Sequence, residues 1–312
     1  MKSYLVTGGC GFIGVNLIPR LIEQGARVRV LDNLSLGRRE DVEPLGVDLH
    51  VGDIRNATAV AKACKGVDAV VHLAAHTRVV ESLSDPELNF EINAVGTLNV
   101  LQACRTARIP KMIFASTGGA ILGEQEPPVH EGMVPRPISP YGASKLAGEA
   151  YCSAYTGAYG MKTAALRFSN VYGPFSYHKG SVVAQFFRNL LRGKPIVIYG
   201  DGEQTRDFLY VADLVEAILL ADKIEPAGEV FQIASGRETS IRNLLDAMKA
   251  MLPERTFDVR FEPARPGEIL RNYASIEKAR RILGFDPQTQ LNDGLRKTWQ
   301  WFISHDRDAA LK

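Results

Sequence analysis

The stretch TGGCGFIG, residues 7–14, decides how the first half of this chain folds. It follows the β-rich run SYLVT and leads into a helix-periodic segment over residues 12–24. Its spaced glycines, Gly8, Gly11 and Gly14, permit a tight turn and let the backbone approach a pyrophosphate closely. The start of the following helix offers N–H groups and the positive end of its dipole to phosphates. We therefore predict a strand–turn–helix unit that binds a dinucleotide.

Strand and helix patterns alternate through the first half of the chain. Strand-like runs are RVRVLD, DLHVGD, DAVVHLAA, KMIFAS and KTAALRFSNVYG, and helix patterns cover residues 57–65, 87–108 and 141–159. Such alternation is typical of a parallel sheet with right-handed crossovers. Several strands are apolar almost throughout, as expected where helices cover both faces of a sheet. We predict an α/β fold with a doubly wound parallel sheet.

The second half of the chain mixes short strands, turns and helix starts, as in PIVIYGDGEQTRDFLYVADL and SIEKARRILGF. We expect a smaller mixed α/β lobe, interleaved with the sheet domain and without a sharp linker. The predicted division is a dinucleotide-binding domain over residues 1–170, to which part of residues 205–235 returns. The substrate lobe is then mainly residues 171–312.

Composition excludes several classes of protein. The 312 residues carry a formal net charge of +2, which is too small for a nucleic-acid-binding surface. No window has the roughly twenty apolar residues of a membrane span, and the N-terminus lacks the pattern of a signal peptide. Cys10, Cys64, Cys104 and Cys152 lie far apart, so they indicate neither a metal site nor a disulfide framework. We expect a cytoplasmic protein.

Acidic residues follow the second and third predicted strands. Asp32 stands where a carboxylate accepts hydrogen bonds from an adenosine ribose, which favours NAD over NADP. Arg38 and Arg39 leave NADP open, and the alternative role of Asp32 is to cap a turn. Asp53 is placed to meet the adenine edge. The run HLAA, residues 72–75, ends the fourth strand where a dinucleotide passes, and its histidine is equally explained as a packed strand-end residue.

A tyrosine and a lysine share one face of the last helix in this half. Tyr141 and Lys145 are four residues apart, so their side chains point the same way. A nearby ammonium lowers a phenol pKa from about 10, which makes the tyrosine a general base near neutrality. Ser116 or Thr117, at the end of a strand, supplies a hydroxyl that shares the proton at a substrate oxygen. The alternative for these hydroxyls is to satisfy loop backbone.

The motifs TGGCGFIG, LDN, GDI, HLAA, STGGA, YGASK, RFSNVYGP, GDGEQTRDF and RPGE occur in the order seen in extended short-chain dehydrogenase/reductases. Over nearly its whole length the chain resembles the UDP-glucose 4-epimerase-like group of nucleotide-sugar enzymes. The resemblance implies a Rossmann fold, bound NAD, and Thr117, Tyr141 and Lys145 as catalytic residues. The implied NAD contacts are Gly8, Gly11, Phe12, Ile13, Gly14, Asp32, Asn33, Asp53, Ile54, Leu73, Ala74, Ala75 and Lys145. The implied UDP-sugar contacts are Ser116, Thr117, Tyr141, Asn170, Tyr199, Arg206, Arg265 and Asn272.

The reaction expected from the resemblance begins with oxidation of the sugar at C4. Related 4,6-dehydratases carry an acid pair just after the catalytic threonine, and related decarboxylases tend to carry a glutamate there. Gly118 and Gly119 occupy these places and offer no proton chemistry. We therefore expect hydride to return to the other face of C4, which is epimerisation. The alternatives are a UDP-glucuronate 4-epimerase, another 4-keto-forming dehydratase or reductase, and a non-catalytic NAD-binding regulator.

The choice of sugar depends on a few positions. Phe175 stands where uronate epimerases have an arginine, which argues against a carboxylate sugar, although His178 and Lys179 keep that question open. Asn272 falls on a gatekeeper position where a tyrosine excludes N-acetyl groups, so N-acetylated sugars are expected to fit beside plain ones. Leu122 replaces a tyrosine usual in this group. The resemblance also implies a homodimer, through helices near residues 91–108 and 141–159.

Overall fold

The computed structural model of the chain describes residues 1–264 and 269–309, with side chains described as far as residue 305. Within these residues, seven strands form one parallel sheet. They are β1 (Ser3–Thr7), β2 (Arg27–Asp32), β3 (Asp48–Val51), β4 (Ala69–His72), β5 (Lys111–Thr117), β6 (Lys162–Phe168) and β11 (Glu229–Ile233). The predicted doubly wound α/β fold is confirmed.

The order of strands in this sheet is β11-β6-β5-β4-β1-β2-β3. The chain moves outward from β1 to β3 and then restarts with β4 on the other side of β1. The direction of winding therefore reverses between β1 and β4, and doubly wound sheets bind ligands in the crevice at such a point. A Cβ added to Gly8, after β1, would lie 2.7 Å from the backbone nitrogen of Ala74, after β4.

Helices cover both faces of the sheet and build two apolar layers. The α-helices of the described residues, including those of the smaller lobe, are α1 (Phe12–Glu23), α2 (Ala57–Ala63), α3 (Val79–Ser84), α4 (Pro86–Phe90), α5 (Gly96–Thr106), α6 (Gly119–Leu122), α7 (Pro140–Tyr159), α8 (Val182–Leu191), α9 (Val211–Lys223), α10 (Ile241–Met251), α11 (Glu277–Leu283) and α12 (Leu291–Ala309). Helices α1 and α9 pack on one face. Helices α2, α5 and α7 pack on the other. Among the described residues, no helix has the length and apolar character of a membrane span.

The helix predicted over residues 87–108 is broken in the structure. A π-helical turn, Glu91–Val95, separates α4 from α5. The Thr97 hydroxyl donates a hydrogen bond to the Asn93 carbonyl in this turn (2.5 Å). At Gly96 the helix passes so close to Ile54 that a Cβ would lie 2.6 Å from its Cδ1 atom. The periodicity of apolar residues does not register such an inserted turn, because π-turns are set by local packing and are often found near functional sites.

The strand predicted over residues 162–173 also divides. The backbone of Ser169 donates to Ile233, and Asn170 then donates to Asp207, so the chain leaves the main sheet between these two residues. Strand β7 (Asn170–Tyr172) pairs with β10 (Phe208–Tyr210) instead. Two further pairs are β8 (Ile196–Tyr199) with β13 (Val259–Glu262), and β9 (Thr205–Arg206) with β12 (Thr239–Ser240).

Helices α8, α10 and α12 enclose a third apolar cluster beside these short sheets, with Phe187, Leu244 and Phe302 fully buried. Helix α9 and strand β11, which are later in the chain, pack into the main sheet domain. The division of the chain at residue 170 into two binding units stays a prediction. The fold places the carboxyl ends of β1 to β6 along one edge, beside this smaller lobe.

Candidate active site

The turn between β1 and α1 is a cradle made of backbone. Gly8 has a φ of 68°, in the left-handed region that favours glycine. A Cβ on Gly14 would lie 2.5 Å from the Cα of Gly9, so the first turn of α1 packs directly against the preceding loop. Gly11 begins the helix, whose described first turn has neither a side-chain cap nor an acidic residue. Its N–H groups, including those near Phe12 and Ile13, therefore suit an anion such as a pyrophosphate.

Asp32, at the end of β2, is held by backbone from two sides. Its carboxylate accepts hydrogen bonds from the N–H groups of Cys10 (2.9 Å) and Leu34 (2.8 Å), and the residue is buried. Burial raises the pKa of Asp32, while these two hydrogen bonds oppose the rise. The turn-capping role considered for Asp32 is therefore real. Each oxygen keeps a second lone pair, so a contact with a ribose stays a prediction.

The ends of β2 and β3 meet through polar side chains. The amide of Asn33 donates to Asp53 (3.1 Å), and Arg55 forms an ion pair with the same carboxylate (3.0 Å). The hydrogen bond from Arg55 lowers the pKa of Asp53 to about 2, so Asp53 is ionised across the physiological range. Ile54 is buried against Gly96. The structure thus brings Asn33, Asp53 and Ile54 together at one end of the sheet edge.

The segment after β4 is tied to β1 by a directional chain of hydrogen bonds. The N–H of Ala74 donates to the Thr7 hydroxyl (3.3 Å), and Thr7 contacts Nδ1 of His72 (2.6 Å). Nε2 of His72 contacts Thr97 (3.0 Å), whose hydroxyl donates to Asn93. Because Thr97 uses its proton there, His72 must carry its proton on Nε2 and accept from Thr7 on Nδ1. Full burial lowers the pKa of His72 to about 3, so it is a packed neutral residue without catalytic geometry.

These hydrogen bonds fix the position of the residues predicted to border the dinucleotide. Leu73 also donates its N–H to the Thr7 carbonyl (3.0 Å), and Ala75 follows directly. The Leu73 to Ala75 backbone therefore lies beside the Gly8 turn, and its contact with NAD stays a prediction.

The proposed catalytic residues converge from β5 and α7. Ser139 caps α7 by accepting from the Gly142 N–H (3.2 Å), and Pro140 starts the helix. Tyr141 in its first turn is buried and hydrogen-bonded to the Thr117 hydroxyl at the end of β5. Lys145, one turn further, is also buried, and its Nζ donates to the Ala115 carbonyl (2.8 Å). The structure therefore assembles all three predicted catalytic residues.

The pKa values of this trio differ from the sequence-based expectation. Burial raises the pKa of Tyr141 to about 12, and the hydrogen bond with Thr117 opposes the rise. Burial lowers the pKa of Lys145 to about 7, against the influence of Cys152 and Glu149. The expected depression of the phenol pKa by Lys145 is not seen, because the lysine donates to the backbone of β5. An added positive charge beside the phenol is needed to make Tyr141 a base near neutrality.

Ser116 makes a different contact from Thr117, and the substrate contact expected for it stays a prediction. Ser116 is buried and donates its hydroxyl to Glu149 (2.6 Å). Of the two hydroxyls that the sequence left open, only that of Thr117 contacts Tyr141.

The two glycines after Thr117 lie against other side chains. A Cβ on Gly118 would lie 2.7 Å from Oε1 of Gln232, and one on Gly119 would collide with the amide of Asn272. The structure therefore brings Asn272 to the predicted site, and no acid fits in this turn without displacing these side chains. Leu122, in α6, is fully buried in the main apolar core, so its replacement of a tyrosine bears on packing.

The predicted nucleotide-side residues lie on the short strands. Asn170 begins β7, Tyr199 ends β8, and Arg206 in β9 donates to the Ile269 carbonyl (2.8 Å). Arg265 lies outside the described residues. The substrate contacts of all four stay predictions.

The residues considered for sugar choice are occupied by internal contacts. Phe175 packs on Trp301, with ring centroids 5.0 Å apart. Lys179 donates to the Val171 carbonyl (2.6 Å). The described contacts therefore give neither residue a direct link to the trio.

Sequence reasoning missed a polar network behind α7. Ser144 donates to Asn89 (2.9 Å), and Asn93 in the π-turn donates to Ser144 (3.1 Å). Ser82 accepts from the N–H of Tyr141 (3.3 Å). These buried contacts fix the first turns of α7 against α3 and α4. Their only signal in the sequence was polar residues at positions where the helix pattern expects apolar ones.

Comparison with known proteins agrees with this geometry. The model of the NAD dependent epimerase/dehydratase family matches residues 4–234. This chain belongs to the NAD-dependent epimerase/dehydratase family. A family member from Methanocaldococcus jannaschii, described as a putative UDP-glucose 4-epimerase, is 38% identical over 307 residues, which cover 97% of this chain and 99% of that protein.

Two solved structures extend the family comparison. The UDP-glucose 4-epimerase of Thermotoga maritima, solved with UDP-glucose, is 36% identical with a TM-score of 0.93, covering 97% of this chain and 99% of that one. The UDP-glucose 4-epimerase of Thermus thermophilus, solved with NAD, is 38% identical with a TM-score of 0.90 and the same coverage. Both span the sheet domain and the smaller lobe.

Proposed function

We propose that the chain is an NAD-dependent UDP-sugar 4-epimerase that interconverts UDP-glucose and UDP-galactose through a transient 4-keto sugar. One observation carries the proposal. Half-buried Thr117 at the end of β5 and buried Tyr141 and Lys145 on α7 lie beside Gly118 and Gly119, whose turn offers no group for proton transfer. The similar enzymes named above catalyse, by their description, this class of reaction.

The residues present fit NAD. The close-packed glycines of the β1–α1 turn suit a pyrophosphate at the start of α1, and in our proposal the Asp32 carboxylate at the end of β2 accepts hydrogen bonds from a ribose. A similar enzyme is solved with NAD. The chemistry that NAD supplies when bound is reversible uptake of a hydride from C4 of the sugar. We therefore assign Gly8, Gly11 and Asp32 to the holding of this cofactor.

The proton at the sugar 4-hydroxyl is handled by this chain's own residues. In our proposal Tyr141 takes that proton and returns it after the sugar has turned, while the Thr117 hydroxyl orients the same oxygen. In this structure the Lys145 ammonium donates to the Ala115 carbonyl, and we propose that it favours the phenolate form of Tyr141, one helical turn away, once the cofactor and the sugar fill the site. Burial keeps water away from the exchanged proton and strengthens these interactions.

The glycine turn decides what becomes of the keto sugar. Removal of a proton at C5 or loss of carbon dioxide needs a further acid or base, and Gly118 and Gly119 supply none. The space beyond Gly119 is filled by Asn272. The keto group is then reduced back from the other face, so the reaction has no net redox change.

The sugar ring meets Asn272, which is smaller than the tyrosine of stricter enzymes in the resemblance. We therefore also propose turnover of UDP-N-acetylglucosamine and UDP-N-acetylgalactosamine. The experiment incubates purified protein with UDP-galactose, UDP-N-acetylgalactosamine or UDP-galacturonate, without added NAD, and separates the products. A C4 epimer of the first two supports the proposal, with Tyr141→Phe as the inactive control.

Other outcomes of this experiment identify the alternatives. A stable keto product, or consumption of NADPH in equal amounts, indicates a dehydratase or a reductase. Turnover of UDP-galacturonate alone indicates a uronate epimerase. No C4 epimer from any sugar, with NAD shown to be bound, contradicts the proposal and favours a regulator.

We further propose a homodimer that uses the predicted helices. Phe90 is 57% exposed, Tyr151 42% and Val95 36%, so large apolar side chains lie on the solvent side of α4, the π-turn and α7. Burial of such side chains between two copies is favourable, and two-fold pairs are the commonest assemblies. Light scattering during gel filtration tests this, and Tyr151→Glu is expected to weaken the pair.

A further inference from the structure

One face of α7 carries a line of three ionisable residues. Tyr141, Lys145 and Glu149 follow at intervals of four residues, so they stand one above the other along the helix. All three are buried, with 9%, 3% and 6% of their surface exposed. The first two are assigned to proton transfer in the proposed function, and the third has no assignment.

Glu149 is held in a clamp. Arg167 donates to both of its oxygens, from Nε to Oε1 (2.9 Å) and from Nη2 to Oε2 (2.7 Å). Ser116 donates to Oε1 (2.6 Å) and lies opposite Arg167 in the register of β5 and β6. Among the described residues, the remaining Arg167 nitrogen, Nη1, is buried without a hydrogen-bond partner. Two of the three guanidinium nitrogens are therefore satisfied by Glu149, and these hydrogen bonds hold the carboxylate in place.

This clamp is neutral in sum but directional. The carboxylate is on α7, one turn from Lys145, whereas the guanidinium is on β6. Because the carboxylate is nearer to Lys145 than the guanidinium is, the pair exerts a net negative potential on Lys145. The ionisable groups around the Lys145 ammonium are Tyr141, Cys152 and Glu149 on its own helix, His72 on β4 and, behind Glu149, Arg167 on β6.

Of these groups, only the carboxylate supplies a negative charge while the lysine titrates. Cys152 and Glu149 both raise the pKa of Lys145 against burial. Burial raises the pKa of the Cys152 thiol far above its ordinary value, so it stays neutral, as does His72, whose pKa burial lowers to about 3. Glu149 therefore supports the ammonium form of Lys145 against burial, which lowers the pKa of this lysine to about 7.

We propose that Glu149 is a positioning residue for the epimerase reaction, which keeps Lys145 charged one helical turn from Tyr141 and is itself oriented by Arg167 and Ser116. The inference rests on the proposed function. A role in packing alone predicts lower stability when either clamp residue is changed. The electrostatic role predicts in addition that the two changes act on Lys145 in opposite directions.

The test compares Glu149→Gln with Arg167→Met in the NAD-loaded enzyme. Each variant leaves one buried partner uncompensated, so both are expected to lose stability in a similar way. Turnover is measured against pH, together with the titration of the Lys145 side chain by NMR of ¹³C-labelled lysine. Glu149→Gln is expected to move the alkaline limb of turnover and the lysine titration down by about one pH unit, and Arg167→Met to move both up.

A control variant shows whether the shift in pH dependence is specific to Glu149 or follows from the loss of any Arg–Glu pair. Glu216→Gln breaks an Arg–Glu pair on the other face of the sheet, Arg20–Glu216, and is expected to leave the limb in place. If a single variant does not fold, the double variant Glu149→Gln/Arg167→Met, which removes both charges, replaces it. The pH at which Lys145 titrates is again expected to be lower than in the unchanged protein.

The outcomes are distinct for the two proposals. Unmoved titrations, or shifts in the same direction for both single variants, overturn the role of Glu149 while epimerase activity stands. Absence of epimerase activity in the unchanged protein overturns the proposed function, and the lysine titration then still reports whether Glu149 controls Lys145.

Discussion

A substitution of glycine by alanine has opposite expected effects at two helical positions of this chain. Gly157, in α7, has nothing within 4 Å of an added Cβ, so alanine there is expected to stabilise the fold by about 0.5–1 kcal/mol through its higher helix propensity. Gly14, in α1, has the Cα and carbonyl carbon of Gly9 at 2.5 and 2.6 Å from the added Cβ. Because carbon atoms pack at about 3.5–4.0 Å, α1 must move by about 1 Å from the turn.

The cost at Gly14 is worked from this displacement. Overpacking costs about 1–3 kcal/mol, which outweighs the gain in helix propensity. The shift also moves the N-terminus of α1 away from a bound pyrophosphate. Saturation with NAD at a hundred times its dissociation constant stabilises a binding protein by about 2.7 kcal/mol, and Gly14→Ala is expected to lose most of this.

Thermal unfolding with and without NAD, and NAD released from denatured protein, measure both effects. We expect Gly157→Ala to unfold at a slightly higher temperature and to keep its NAD. Gly14→Ala is expected to unfold several degrees lower, with little response to added NAD. The reasoning is refuted if Gly14→Ala behaves like Gly157→Ala, because the close approach of Gly9 would then have no consequence.

Further substitutions test the other parts of the site. Tyr141→Phe is expected to lower turnover about 10²–10⁴-fold while NAD remains bound, since only the proton acceptor is lost; product assays and NAD content measure this. Asp32→Asn is expected to weaken NAD binding about tenfold or more, measured by titration, because a charged hydrogen-bond acceptor becomes neutral. Asn272→Tyr is expected to reduce turnover of UDP-N-acetylgalactosamine at least about tenfold relative to UDP-galactose in parallel assays, because the phenol takes the space of the acetyl group. Folding lowers the pKa of Lys145 from 10.5 to about 7, so the unfolded chain binds more protons between these values. The contribution of Lys145 to the free energy of unfolding therefore rises with pH in this window, and urea titrations are expected to show a smaller slope for Lys145→Met.

Local patterns in the sequence predicted the parts of the site that depend on one element or on neighbouring strand ends. The glycine spacing after β1, and the Tyr141–Lys145 interval in α7, need only the geometry of a turn and a helix. The sheet edge follows from strand alternation, which collects Asp32, Asp53 and Thr117 at the carboxyl ends.

What the sequence could not predict depends on contacts between distant elements. The sequence leaves Ser116 and Thr117 as alternatives, and only the packing of α7 against β5 tells that Thr117 contacts Tyr141 while Ser116 contacts Glu149. Glu149 and Arg167 meet from a helix and a strand, and neither residue signals its partner. The break before Asn170 follows from its hydrogen bond with Asp207, far along the chain.

The response of the protein to pH depends in part on a series of buried hydrogen bonds. This series runs from Ala74 through Thr7, His72 and Thr97 to Asn93. Every member of this series is uncharged near neutrality, because burial lowers the pKa of His72 to about 3. The Gly8 turn is therefore insulated from proton concentration, while Lys145, with a pKa of about 7, is not. A change of pH in the neutral range is therefore expected to alter turnover through Lys145, while the hydrogen bonds that hold Ala74 beside the Gly8 turn stay unchanged. The hydrogen bonds beside the Gly8 turn and the group that titrates near neutrality are thus different parts of the site.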